Sequence, residues 1–471
     1  MDDSHQNPND RSPEEPERNP FQEMLSAFLG PDAASEAVRQ MGAQGIDPSA
    51  LMGGSGAPSP ISFSQLQYLF QSNSGPVNWN MVKDIAGQKA FQAGDASLTA
   101  AQSERVRQAL TVADLWLDPV TDFTTSQVQR QAWTRVQWVE NTLPAWKRIC
   151  EPVAANVGRA LAEALQQQVA DPDDSSVPPE IRSLTGSLAQ AVPRMSSMVF
   201  SSQIGQALGA VAEESLSTSD SGLPLAEGQT TALVLTNIER FADGLDIPAE
   251  EVLQFLAVRE SAHARLFASV PWLTTALLQS VQRYAAQIDI NIGAIEDAAR
   301  SISPEDLSSM NEIVIEGAFN PEPTEDQRRA LRHIETLLAL VEGWIEVVTA
   351  RAVAPYLPQA DKLREMLRRR RVSGSTGEQV LAQLVGLNMR PRQARNASQI
   401  FQLVEAADGP AARDGLWSHP DLVPSDEELE QPDNYLDVRK SRQTGPDDID
   451  LALVQLLAES SPPDDADETD Q

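Results

Sequence analysis

From Val82 to Asp408 the apolar residues of this chain recur three and four apart almost without a break, a period that suits helices and little else. The pattern predicts helices at Val82–Phe91, Thr99–Trp116, Gln127–Asn141, Ala145–Val169, Leu184–Leu216 and Glu250–Phe267. Further ones are predicted from Pro271 to about Gln287, then at Pro304–Met310, Glu325–Val353, Gln359–Arg371, Glu378–Leu384 and Arg390–Asp408. Alternating β-branched runs and tight Asn-Gly or Asp-Gly hairpins are nearly absent, so the fold class is all-α. No period of about 20–50 residues repeats, which excludes a solenoid. Residues 1–60 read as a mostly disordered arm carrying a short amphipathic helix at 20–30. Residues 61–424 read as the helical domain, in one piece or as two packed halves. Residues 425–471 read as an acidic flexible tail with a short helix near 447–459.

Composition narrows the function. The chain of 471 residues carries a formal charge of -32, which disfavours a nucleic-acid backbone or an anionic membrane face as partner. The acidity concentrates after Ser425, where fifteen Asp and Glu face only Arg439, Lys440 and Arg442. Cys150 is the single cysteine, which leaves no internal disulfide and no cysteine-based zinc cluster. The histidines are His5, His263, His333 and His419, so a three-histidine metal site would need every one outside the arm. No basic, then apolar leader and no run of about 18 apolar residues occurs, and a cytoplasmic protein without a membrane span is the expectation. Phosphate-cradling glycine loops and a nucleophile elbow are also missing.

One stretch carries chemistry. Within Leu253–Phe267 lies Arg259-Glu260-Ser261-Ala262-His263, a His-Glu-x-x-His zinc motif with arginine in place of its first histidine. Residues four apart share a helix face, so two histidines there can grip one zinc ion while the glutamate acts as general base on bound water. Glu260 and His263 keep that spacing. Arg259 cannot ligate a cation, because its guanidinium stays protonated.

Several blocks together resemble a known family. Thr236-Asn-Ile-Glu-Arg-Phe-Ala-Asp-Gly-Leu-Asp-Ile-Pro-Ala-Glu-Glu, the Arg259 to His263 motif, Val270-Pro-Trp-Leu, Leu340-Val-Glu-Gly-Trp and Gly415-Leu-Trp-Ser-His-Pro-Asp-Leu-Val-Pro are similar to the zincin-like hydrolases of actinobacteria. These are often labelled zinc-dependent metalloproteases, and a sister branch is tied to the biosynthesis of a deazaflavin coenzyme. The resemblance, over about residues 61–424, implies a helical zincin-like fold. It also implies Glu260 as general base and His263, Glu342 and Glu346 as candidate metal ligands, with zinc as the implied cofactor, bound otherwise than in the standard motif.

Two readings follow. In the first, Arg259 replaces the metal charge by pairing with a nearby glutamate, and the protein is a pseudoenzyme that binds or scaffolds a protein or peptide partner. In the alternative, the site is an active metal-dependent hydrolase or peptidase. A partner could engage the residual cleft or the tail, where Ile449, Leu453, Leu456 and Leu457 fall on one side of a short acidic helix. The basic cluster Arg368–Arg371 reads as a helix C-terminus or as a dock for an acidic segment. Ser197, Ser201, Gly205 and Gly209 fall four apart, which predicts a close helix approach inside a core. His333 reads as a surface histidine and His419 as a loop residue linked to Asp421.

Overall fold

The computed structural model describes residues 75–124, 128–169, 179–286, 324–372 and 391–444. The arm with its helix at 20–30, the expected helices Pro304–Met310 and Glu378–Leu384, and the tail helix with Ile449, Leu453, Leu456 and Leu457 lie outside these residues. The chain divides into two compact units, Met1–Pro76 with Gly158–Met198, and Val77–Val157 with Val199–Gln471. Of the first, the described residues are chiefly helical stretches. The second holds every contact described below, while the helices Arg135–Val169 and Pro179–Glu214 have residues in both units.

Helices dominate, as the spacing predicts. Helix α1 is Trp79–Gln92, capped by the Asn78 side chain, and α2 is Ala100–Leu117, closed by a Thr99–Gln102 capping box. The expected helix Gln127–Asn141 is not one element. Gln129–Trp133 forms strand β1, and α3 then runs unbroken through Arg135–Val169, across Pro144 and Pro152. After α4 (Pro179–Glu214) comes strand β2 (Thr230–Val234), paired parallel to β1 from Gln129↔Thr230 to Trp133↔Val234. The polar Gln-Arg-Gln of β1 carries no local strand signal. It is a strand because a partner far along the sequence supplies the ladder, and such pairing leaves no mark on a single-sequence period.

The motif helix α6 (Ala249–Ser269) follows the short α5 (Leu235–Ala242) and starts with Glu250 and Glu251 beside its positive end. From Val252 to Leu266 only Gln254, Arg259 and Ala264 are not fully buried, so α6 is a core helix rather than a surface one. It packs on α2 and on α8 (Glu325–Val353), whose residues Ile334–Thr349 are all buried. Helix α7 (Pro271–Ala286) covers another side of α8.

Two close approaches set this geometry. A Cβ on Gly343 of α8 would sit 2.6 Å from both Ala397 Cβ and Ser398 N of α10 (Pro391–Asp408), so only glycine permits that crossing. On α4, Cβ atoms at Gly205 and Gly209 would lie 2.8 Å from Ile85 and Lys89 of α1, and Ser201 Oγ accepts from Asn78 N at 2.7 Å. The small-residue stripe therefore serves core packing against α1.

Helix α9 (Ala360–Val372) follows α8 and carries the basic cluster. Beyond α10 come α11 (Pro410–Gly415), α12 (Asp426–Glu430) and α13 (Tyr435–Thr444). The first part of the stretch assigned to a flexible tail is thus helical. Ser425 and Glu428 make a capping box, and Arg439 reaches Glu428 at 2.9 Å. Among the described residues no helix is long and apolar enough to cross a membrane.

Candidate functional site

Helix α6 presents Arg259, Glu260 and His263 to three different surroundings. Arg259 points at α8, where its Nη2 donates to Glu342 Oε1 at 2.6 Å. The two side chains are 11% and 6% exposed, so this ion pair is desolvated and its geometry matters. The second-helix acid therefore meets a guanidinium from α6.

Glu346, one turn further along α8, is held by a different arginine. Arg368 of α9 engages both of its carboxylate oxygens, with Nε to Oε2 at 3.2 Å. The basic cluster noted in the sequence is consumed the same way: Arg370 donates to Asp220 Oδ2 at 3.0 Å and to the Glu214 carbonyl at 2.6 Å, Arg369 pairs with Glu365, and Arg364 with Asp361. Arg368 ties α9 to α8 and Arg370 ties it to the end of α4, whereas Arg369 and Arg364 pair within α9. Sequence spacing missed the contacts of Arg368 and Arg370 because their partners lie on other elements.

Glu260 turns into the core. Its carboxylate accepts from the Thr218 hydroxyl and from Ser219 N at 3.2 Å. That loop is placed by β2: Thr218 N donates to the Ala232 carbonyl, Val234 N donates to the Leu216 carbonyl, and Ser217 bridges Leu233. Burial pushes the Glu260 carboxyl above the usual carboxylate range, and the bonds from Thr218, Ser217 and Ser219 only partly oppose it. Nothing in the local sequence marked Thr218 and Ser219 as its partners.

His263 is buried, and its Nδ1 lies 3.0 Å from the Arg259 carbonyl. A carbonyl only accepts, so Nδ1 carries a proton, and in the neutral ring the lone pair is then on Nε2. His333 is exposed, and His419 Nδ1 sits 3.3 Å from both the backbone nitrogen and the carboxylate of Asp421. Cys150 is buried, its thiol pushed up to about 12 by desolvation, and is inert as a nucleophile.

Two cavities flank α6. One, of about 200 Å³, lies among α6, α8 and α9, with Arg259, Glu346, Thr349 and Phe255 on its wall. The other, of about 450 Å³, is lined by Thr218 and Ser219 together with Ala264 and Phe267 from the opposite side of the helix. Glu260 and His263 line neither.

A profile of zincin-like metallopeptidases matches residues 77–436. The chain belongs to the zincin-like metallopeptidase family. Among solved structures, a candidate hydrolase with a novel fold from Chloroflexus aurantiacus superposes with a TM-score of 0.54 at 17% identity, covering 78% of this chain and 99% of that one. That likeness concerns the fold. No curated protein matches significantly.

Membership in this zincin-like family implies zinc, and the described donors of this chain do not fit it. Zinc needs neutral imidazole, thiolate or carboxylate donors converging at about 2.0–2.3 Å. Here Glu342 faces Arg259, Glu346 faces Arg368, and among the described residues no three His, Cys, Asp or Glu gather closely enough to hold a metal. A cation at the Arg259 guanidinium would meet like charge at short range.

Proposed function

We propose that this zincin-like protein is a non-catalytic member of its family, a binding protein in which the Arg259–Glu342 ion pair stands where relatives place a metal. The observation that carries this reading is the buried 2.6 Å contact between them. An arginine that satisfies the second-helix carboxylate supplies a fixed positive charge that neither depends on metal supply nor activates water. Glu260, the general base of the family motif, is turned away from that charge and secures the 217–219 loop instead. The protein then acts by binding a protein or peptide through the cleft beside Arg259 or through its acidic C-terminal segment.

The competing reading, a metal-dependent hydrolase with Glu260 as base, draws on one observation: His263 Nδ1 donates to the Arg259 carbonyl, so a neutral ring would offer Nε2 to a metal. Zinc titration by calorimetry separates the two. Wild type takes up no zinc on the non-catalytic reading, whereas Arg259→His gains affinity because it restores the first ligand and releases Glu342. Tight zinc binding by wild type, lost in His263→Ala, would overturn the proposal.

A further inference from the structure

The 200 Å³ cavity among α6, α8 and α9 has the chemistry of a small-ligand site. A single water needs roughly 10–15 Å³ in such a measure, so there is room for several heavy atoms, yet less than the roughly 300 Å³ at which sites for drug-sized ligands begin. One wall is apolar, from Phe255, Val353 and Leu357. The polar end combines three features. Arg259 spends Nη2 on Glu342, and its guanidinium has further N–H donors in a nearly water-free position. Thr349 is 1% exposed, lines the cavity, and its hydroxyl has no hydrogen-bond partner among the described residues. Among the described residues Arg364 reaches only Asp361, 90% exposed, at 3.2 Å, a contact of little worth in water.

We propose that this cavity binds a small carboxylate with an apolar body, its head on Arg259, Thr349 and Arg364 and its chain against Phe255, Val353 and Leu357. The proposal rests on the reading that Arg259 stands in the place of a metal. An anion is favoured over a cation although Glu346 and Asp361 also line the space. The Glu346 carboxylate is satisfied by Arg368, and Asp361 stands in solvent at the mouth. The desolvated donors of Arg259 and the Thr349 hydroxyl are the groups whose burial costs free energy until a ligand meets them. The same chemistry fits a free branched-chain acid or the C-terminal residue of a peptide.

Calorimetry on the full chain with isocaproate, N-acetyl-leucine and isoamylamine tests this. Saturable binding of either acid, with the amine silent, supports the site. A preference for N-acetyl-leucine identifies a peptide end as the source, and a preference for isocaproate a free acid. Ala350→Leu, at the half-buried wall, should abolish binding, and Arg364→Gln should weaken it with a reduced salt dependence. Should Ala350→Leu fail to fold, the near-isosteric Thr349→Val decides, with an expected loss of about fivefold. No saturable binding into the millimolar range, equal binding of the amine, or indifference of Thr349→Val and Arg364→Gln would overturn the proposal. Zinc measured on the same samples reports separately on the non-catalytic reading, so a failure of the site and a failure of that reading can be told apart.

Discussion

Replacing Arg259 with methionine keeps an unbranched apolar stem and removes the positive charge beside a carboxylate that is 6% exposed. At 2.6 Å, and with an effective dielectric of about 20, the direct attraction is roughly 6 kcal/mol, before either group's desolvation is subtracted. Breaking one side of a buried pair typically costs about 3–5 kcal/mol, because the remaining charge keeps its desolvation penalty. Arg259→Met and Glu342→Met should each lose stability in that range. The double variant should lose far less than the sum, since an apolar pair of similar volume is often close to neutral. A double-mutant cycle followed by urea unfolding, read by tryptophan fluorescence and circular dichroism in parallel, gives the coupling directly. We expect at least about 2 kcal/mol of coupling. Additivity within about 0.5 kcal/mol would show that the two groups do not interact, and the substitute-charge argument would fall with it.

Other outcomes follow from the packing and the buried acid. Gly343→Ala must displace α10, because the new methyl would meet backbone and Cβ at 2.6 Å, and urea melts should show a loss of about 1–3 kcal/mol. Arg413 is fully buried between Glu405 and Asp414 and also donates to the Val120 carbonyl. Arg413→Met should cost about 3–5 kcal/mol, and a loss below about 1 kcal/mol would contradict the burial assigned to it. Glu260 has a carboxyl pKa raised in the folded state, so it binds its proton more tightly folded than unfolded. Its contribution to stability is greatest below the unfolded value of 4.5 and is lost as pH rises through the folded one. Glu260→Gln cannot lose a proton, so its stability relative to wild type should rise with pH above 4.5, and a flat difference between the two would contradict the assignment.

Much of the helical frame was legible because it is local. The period placed α8 at Glu325–Val353 with its ends correct, and Thr324 and Gln327 close it with a capping box whose residues stand in the sequence. The motif helix α6 was similarly plain, and the glycine and serine stripe announced a close helix contact without naming α1 as its partner. The parallel β1–β2 pair was hidden, since Gln129 and Thr230 find each other only in the fold. The site followed the same rule. Spacing put Arg259 and His263 on one helix, and the family resemblance singled out Glu342 and Glu346. It did not say that Glu342 would take Arg259 while Glu346 took Arg368, because those choices depend on how α6 and α9 cross α8. Nor did anything mark Thr218 and Ser219 as the donors that turn Glu260 inward.

The most direct test is the metal content of the purified full-length protein, measured by elemental mass spectrometry beside His263→Ala and without added zinc or chelator. The account predicts background zinc in both, since the Arg259 guanidinium occupies the carboxylate a metal would require. Near-stoichiometric zinc in the wild type that disappears in His263→Ala would contradict it, and would make Glu260 a general base again.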